Sequence, residues 1–195
     1  MSGADHILLH ACCGPCASVA VPAWRAEGLQ PEALFCNPSI QPETEYERRL
    51  QAMQILADAL RVPLTLAERE VPSCPAWLRG DAARQPAEAR CRACVGFRLQ
   101  AAARETAARG LPRFSTTLSV SPYQRHDIIR QAGEEAAADH DVEFVYLDLR
   151  GAYARSFEQC RRFGLYRQQY CGCAPSKWDA WHERWARRKL ETHAS

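Results

Sequence analysis

The residues in this chain best suited to chemistry are its cysteines, and they come in groups. Cys12, Cys13 and Cys16 form a C-C-x-x-C run around Gly14 and Pro15, and Cys91 and Cys94 form a C-x-x-C pair. Cysteines spaced C-x-x-C converge on one metal ion or cluster. If the fold brought the two groups together, their thiolates would offer the tetrahedral sulfur that zinc and iron–sulfur centres both use. Zinc sites usually arrive as two C-x-x-C knuckles, whereas the adjacent Cys12 and Cys13 suit a wide cluster better than one small ion. Spacing therefore favours iron–sulfur and leaves zinc open. A third group, Cys171-Gly172-Cys173, can close a small strained disulfide ring, easier to reduce than a relaxed one, and so relay electrons. Its plainer reading is a turn with two spare ligands. Cys36, Cys74 and Cys160 stand alone and read as packed or surface cysteines.

The elements that must position these groups can be read from apolar runs and breakers. His6 to Ala11 is an apolar run that predicts a buried strand, the cysteine loop follows, and Ala17 to Ala26 predicts a helix. Thiolates in a loop that opens a helix are favoured by the positive end of its dipole. The alternation continues with strands at Glu32 to Asn37, Val62 to Ala67, Phe114 to Ser119 and Glu143 to Leu149. Between them run helices at Glu43 to Leu60, Cys91 to Arg109 and Tyr123 to Ala138, so that Cys91 and Cys94 open the third helix. Strands separated by helices of this length predict an α/β fold, a parallel sheet with helices on both faces. Ligands bind such sheets beyond the carboxyl ends of the strands, where the cysteine loop and the Thr116-Thr117-Leu118-Ser119-Val120-Ser121-Pro122 segment would both lie. No linker, repeat or low-complexity tract divides residues 1–195. They read as one domain, an α/β core over 1–150 and a helical C-terminal extension over 151–195 carrying the C-x-C pair and a final helix.

Composition narrows the class of protein. The 195 residues are 47% hydrophobic and 25% charged, near the globular average. No apolar run is long enough for a membrane span and no secretory signal opens the chain, which predicts a cytoplasmic protein with no membrane partner. In that compartment ten cysteines point to metal or redox chemistry rather than a disulfide framework. A net charge of +2 does not imply non-specific nucleic-acid binding, so any RNA contact must be local.

Taken together, five stretches resemble the QueH family of epoxyqueuosine reductases. They are Leu8-Leu9-His10-Ala11-Cys12-Cys13-Gly14-Pro15-Cys16, Cys36-Asn37-Pro38-Ser39-Ile40 with Glu45-Tyr46, and Arg90-Cys91-Arg92-Ala93-Cys94. The fourth is Phe114-Ser115-Thr116-Thr117-Leu118 with Ser121-Pro122, and the fifth is Leu165-Tyr166-Arg167-Gln168-Gln169-Tyr170-Cys171-Gly172-Cys173. They follow the family's order across nearly the whole chain. Two places differ: Asp148-Leu149-Arg150 stands where the family commonly has Asp-Phe-Arg, and Pro175-Ser176 where it has an aromatic residue and Ser. The resemblance implies a sheet-centred fold related to the HUP (Rossmann-like) group, with the cysteine loop in place of a phosphate-binding loop. It also implies reduction of epoxyqueuosine to queuosine at the tRNA wobble position, the last step of queuosine biosynthesis. By motif, Cys12, Cys13, Cys91 and Cys94 would bind a 4Fe-4S cluster, Cys16 belongs to the same metal-binding motif, and Cys171 and Cys173 would be the redox-active pair.

Converting an epoxide to an alkene and water takes two electrons and two protons. A 4Fe-4S cluster delivers electrons singly, so a second electron carrier or a second reduction is needed; the Cys171/Cys173 dithiol would be such a carrier, with an external electron donor restoring it. In another arrangement an additional mononuclear iron accepts the epoxide oxygen as a Lewis acid. Asp148 would ligate that ion or donate a proton, or else is an exposed loop carboxylate. Tyr123, Tyr153 and Tyr166 would stack on a base, and Arg48, Arg49, Arg155, Arg161, Arg162 and Arg167 would meet phosphates of the tRNA partner. His10 reads as structural. Trp178, Trp181 and Trp185, at spacings of three and four, predict a stripe packed on the domain, with Arg184, Arg187, Arg188 and Lys189 as secondary tRNA contacts. The alternatives are a zinc-stabilised RNA-binding module without redox activity and a general thiol–disulfide oxidoreductase.

Overall fold

The computed structural model describes residues 5–67 and 86–193; Cys74 lies outside them. The apolar runs form five parallel strands: β1 His6–His10, β2 Gln30–Phe35, β3 Leu64–Leu66, β4 Arg113–Thr116 and β5 Glu143–Phe144. They are ordered β3-β2-β1-β4-β5, with Leu8 opposite Glu32 on one side and Phe114 on the other. The helices are α1 Gly14–Ala26, α2 Glu43–Leu60, α3 Ala87–Ala108, α4 His126–His140, α5 Tyr153–Phe163 and α6 Ala174–His193. β1 through β3 step outward in one direction and β4 and β5 in the other. Right-handed crossovers therefore put α1 and α2 on one face and α3 and α4 on the opposite one. In keeping with this, α1 packs against α2 and α5, and α3 against α4. The doubly wound α/β sheet and the helical C-terminal part are as expected. Ile7, Leu8, Leu9, Phe35 and Phe114 are fully buried at its centre, as strands covered on both faces require.

Several boundaries differ from the sequence reading, and the differences move functional residues. α1 begins at Gly14, so Cys13 is its N-cap and Cys16 lies in its first turn. α3 begins four residues before Cys91, so Cys91 and Cys94 sit inside the helix and gain little from its dipole, which acts mainly on the first turn. β4 ends at Thr116, whose hydroxyl accepts from Leu118 N–H and bends the chain into a 3-10 turn over Thr117–Val120. With β4 so short, the edge strand β5 has little to pair with and stops at Phe144, four residues short of Asp148. The final helix also departs from expectation: Trp178, Trp181 and Trp185 are 64%, 49% and 49% exposed, so the stripe does not pack on the domain. Helical period fixes which side chains share a face but not whether anything covers it.

Candidate metal–thiolate centre

The sheet changes direction between β1 and β4, and at such a switch point the loops leaving two adjacent strands part to form a crevice. Here those are the cysteine loop and the Thr117 turn. Cys12 N–H donates to Thr117 Oγ1 at 2.9 Å, and the Thr117 hydroxyl donates to Cys12 Sγ at 3.2 Å. His10, at the end of β1, ties the crevice floor together. Its Nε2–H donates to the Cys36 carbonyl at 3.1 Å, which leaves Nδ1 to accept from the Thr116 hydroxyl at 2.8 Å. Burial, with the Arg98 charge adding to it, lowers His10 to about 4, so it stays a neutral strut. Gly14 is required by a close approach, because a Cβ there would lie 2.5 Å from the Ala52 carbonyl oxygen of α2.

Cys12, Cys13 and Cys16 are buried, and their sulfurs all lie within 4.8 Å of one another. Cys12 and Cys13 Sγ are 3.6 Å apart, and Gln168 Nε2 donates to Cys13 Sγ at 3.0 Å. The three thiols are pushed in different directions. Hydrogen bonds from Cys13, Cys16 and then Thr117 hold Cys12 well below the usual thiol range. Burial and the bond to Cys12 push Cys13 up, and donation to its two neighbours pushes Cys16 up. A buried set of free thiols stabilising a thiolate fits a thiophilic metal or cluster, whose binding would drive off the remaining protons.

Cys91 and Cys94 stand outside this triad. Cys94 Sγ is 3.1 Å from Ser39 Oγ, which accepts from Arg98 Nη2 at 2.6 Å. Arg98 is 3% exposed, and its Nε has no hydrogen-bond partner among the described residues. Burial works against its charge, but the fields of Cys94, Cys171, Cys12 and Cys36 outweigh that and raise its pKa. One buried guanidinium thus lies among sulfurs from the cysteine loop, α3 and the C-x-C segment. Sequence reasoning missed Arg98, although it stands four residues after Cys94 and seven after Cys91, on their face of the helix by period alone. Thr117 and Gln168 were within quoted motifs, but nothing local assigned them to sulfur.

The C-x-C segment is pinned from below. Arg49 donates from Nη1 to the Cys171 carbonyl at 2.8 Å, from Nη2 to the Tyr170 carbonyl at 2.9 Å and from Nε to Glu45 at 2.8 Å. Tyr166 O–H donates to the other Glu45 oxygen at 2.6 Å, and Gln41 N–H donates to the Gly172 carbonyl at 2.8 Å. Gly172 has φ +136°, and a Cβ would meet Ile40 at 3.1 Å and Arg49 at 3.3 Å, so the residue between the cysteines must be glycine. Cys171 and Cys173 are free thiols. Cys171 reaches solvent, while the protein crowded round its sulfur pushes the thiol up to about 11; Gln124 Nε2 donates to it at 3.4 Å. Arg49 is 2% exposed, which removes it from the expected phosphate contacts. Replacing it with methionine strands Glu45 as a buried charge and should cost about 3–5 kcal/mol in urea denaturation. The Glu45→Gln/Arg49→Met pair should recover part of that loss.

Of the remaining expected residues, Asp148 lies in the loop after β5. Arg150 donates to it from Nε at 2.9 and 3.1 Å, and this bond holds its carboxyl at about 2. Tyr123 is 83% exposed and packs edge-on against Tyr153 at 5.9 Å. Arg48 lies over the Tyr166 ring at 5.6 Å, and Arg167 over Phe157 at 3.7 Å. Cys36 and Cys160 are buried, as expected of packed cysteines.

The profile of the family described as "Epoxyqueuosine reductase QueH" matches residues 7–179. This chain belongs to the QueH family. Relatives called epoxyqueuosine reductase QueH include one from Dehalococcoides mccartyi, 33% identical over 90% of this chain and 94% of the relative. Another from Thermotoga maritima is 31% identical over 86% and 88%, and one from Haemophilus influenzae 30% identical over 97% and 79%. A solved structure, a predicted subunit of tRNA methyltransferase from Methanocaldococcus jannaschii, aligns with a TM-score of 0.47 at 10% identity, over 80% of this chain and 76% of its own. The doubly wound topology of this QueH chain rests on its own strand order.

Proposed function

We propose that this QueH protein is an oxidoreductase that reduces epoxyqueuosine to queuosine in tRNA, with its chemistry centred on the switch-point cysteines. The carrying observation is the buried Cys12–Cys13–Cys16 triad, set beside a buried cation in a chain of this family. Cys12 and Cys13 with Cys91 and Cys94 would hold a 4Fe-4S cluster, Cys16 lying close enough to the first two to compete for the same iron. Such a cluster, when bound, supplies electrons one at a time.

The chain's own thiols match the whole of the balance. Oxidation of the Cys171 and Cys173 thiols to a disulfide releases two electrons and two protons, as many as an epoxide consumes in becoming an alkene and water. An external donor must then reduce the disulfide, and the exposure of Cys171 leaves it a path. Arg98, buried among the sulfurs, offsets their negative charge and offers an N–H to an oxyanion forming nearby. Asp148, held ionised by Arg150, suits a ligand to an additional mononuclear iron and not a proton donor near neutral pH. A tRNA-modifying role agrees with a cytoplasmic address, and no helix among the described residues is long and apolar enough to cross a membrane.

The test is to purify the protein without oxygen, measure iron, zinc and acid-labile sulfide, and incubate it with reductant and tRNA carrying epoxyqueuosine. Iron with matching sulfide, and queuosine in the digested tRNA, are expected. Stoichiometric zinc without sulfide, and unchanged epoxyqueuosine, would overturn the proposal in favour of a zinc-stabilised RNA-binding module.

A further inference from the structure

The cysteine chemistry leaves unexplained the exposed tryptophans of α6. From Lys177 to Ala186 no side chain of this helix is fully buried, and only Ala180 and Arg184 are half-buried. Trp178 and Trp181 pack edge-on at 6.1 Å, His182 lies 4.9 Å from Trp181, and Lys189 Nζ sits 4.1 Å from the centre of the Trp185 ring. At about 100° per residue, Lys177, Arg184 and Lys189 fall on the same half of the helix as the three tryptophans. Asp179 and Glu183 fall on the other half. Over Lys177 to Trp185 the aromatic and cationic side chains therefore gather on one side of the helix and the acidic ones on the other.

We infer that the Trp178–Trp181–Trp185 face of α6 is a stacking platform for unpaired bases of the substrate RNA beside the wobble nucleotide. The inference rests on the tRNA reading above and adds the surface that engages the RNA. Aromatic rings interleaved with cations bind single-stranded nucleic acid, since every base has a π-face and every linkage a negative charge. Position supports the same occupant. Lys177 N–H donates to the Cys173 carbonyl at 3.2 Å, and Arg184 Nη1 donates to the Gln169 carbonyl at 3.4 Å, so the platform is built onto the segment that carries the dithiol. From Trp178 to Trp185 the helix rises about 10 Å, room for about three bases at ~3.4 Å each. A second copy of the chain fits less well, because a two-fold contact would set this cationic face against itself.

The experiment measures binding of a fluorescein-labelled anticodon stem–loop RNA by anisotropy, at low and high salt, for the unaltered protein, Trp181→Ala/Trp185→Ala and Trp181→Phe/Trp185→Phe. Alanine is a better helix former than tryptophan, so α6 should persist, with circular dichroism as the check. The alanine variant should bind about ten-fold or more weakly, with KM for tRNA raised, kcat nearly unchanged and metal content intact. The phenylalanine variant should keep most of the affinity. Equal RNA affinity for the alanine variant and the unaltered protein would overturn the inference. So would a change from dimer to monomer in light scattering with RNA affinity unaltered, which would make the face a contact between copies. Binding that responds as expected in a protein unable to reduce epoxyqueuosine would remove the proposed activity and leave the platform standing.

Discussion

Cys13→Ala protein, purified without oxygen, is expected to be nearly colourless and inactive. Cys13 is fully buried at the N-cap position of α1, with its sulfur within 4.8 Å of those of Cys12 and Cys16, so its loss removes a sulfur that no exposed residue can replace. Losing even an outer partner of a metal ligand costs about 10–100-fold in affinity, and loss of a ligand should cost at least that, read as iron and sulfide per chain. Cys160→Ala removes a buried cysteine from α5 and should leave both unchanged. The same assay separates the ligands: Cys94→Ala should behave like Cys13→Ala, whereas Cys16→Ala should retain iron if Cys16 only competes for it. Full iron and sulfide in Cys13→Ala would end the case for a cluster at this site.

The second large effect falls on turnover rather than on metal. Cys173→Ser keeps the triad and should keep its visible spectrum, while steady-state reduction falls by ~10²-fold or more, because groups that act as a unit fail together when one is removed. The pair's placement supports this. Arg49 fixes the Tyr170 and Cys171 carbonyls and Gln41 that of Gly172, and only glycine fits between the two cysteines. Thiol counting should find the unaltered protein two thiols poorer after substrate is added without external reductant, and Cys173→Ser unchanged. Undiminished turnover in Cys173→Ser would assign both electrons elsewhere and reduce the C-x-C to a structural turn.

These predictions depend on unequal contributions from sequence and fold. The alternation of apolar runs with helical stretches determined a parallel α/β sheet, since buried strands and amphipathic helices have periods that no tertiary contact needs to supply. The cysteine groups were equally legible, as thiol chemistry follows from residue type and short spacing. Which sulfurs meet was decided only by strand order. Placing β4 beside β1 brings Thr117 to Cys12 across 105 residues, and the turn after α5 brings Gln168 to Cys13 across 155. Local pattern carries no record of such contacts, because they follow from where crossovers land and not from the residues between. The same reason explains Arg98, whose helical face was readable but whose burial among thiols was not. It also explains the tryptophans of α6: their shared face was set by the sequence, and its exposure by the absence of any neighbour among the described residues to cover it.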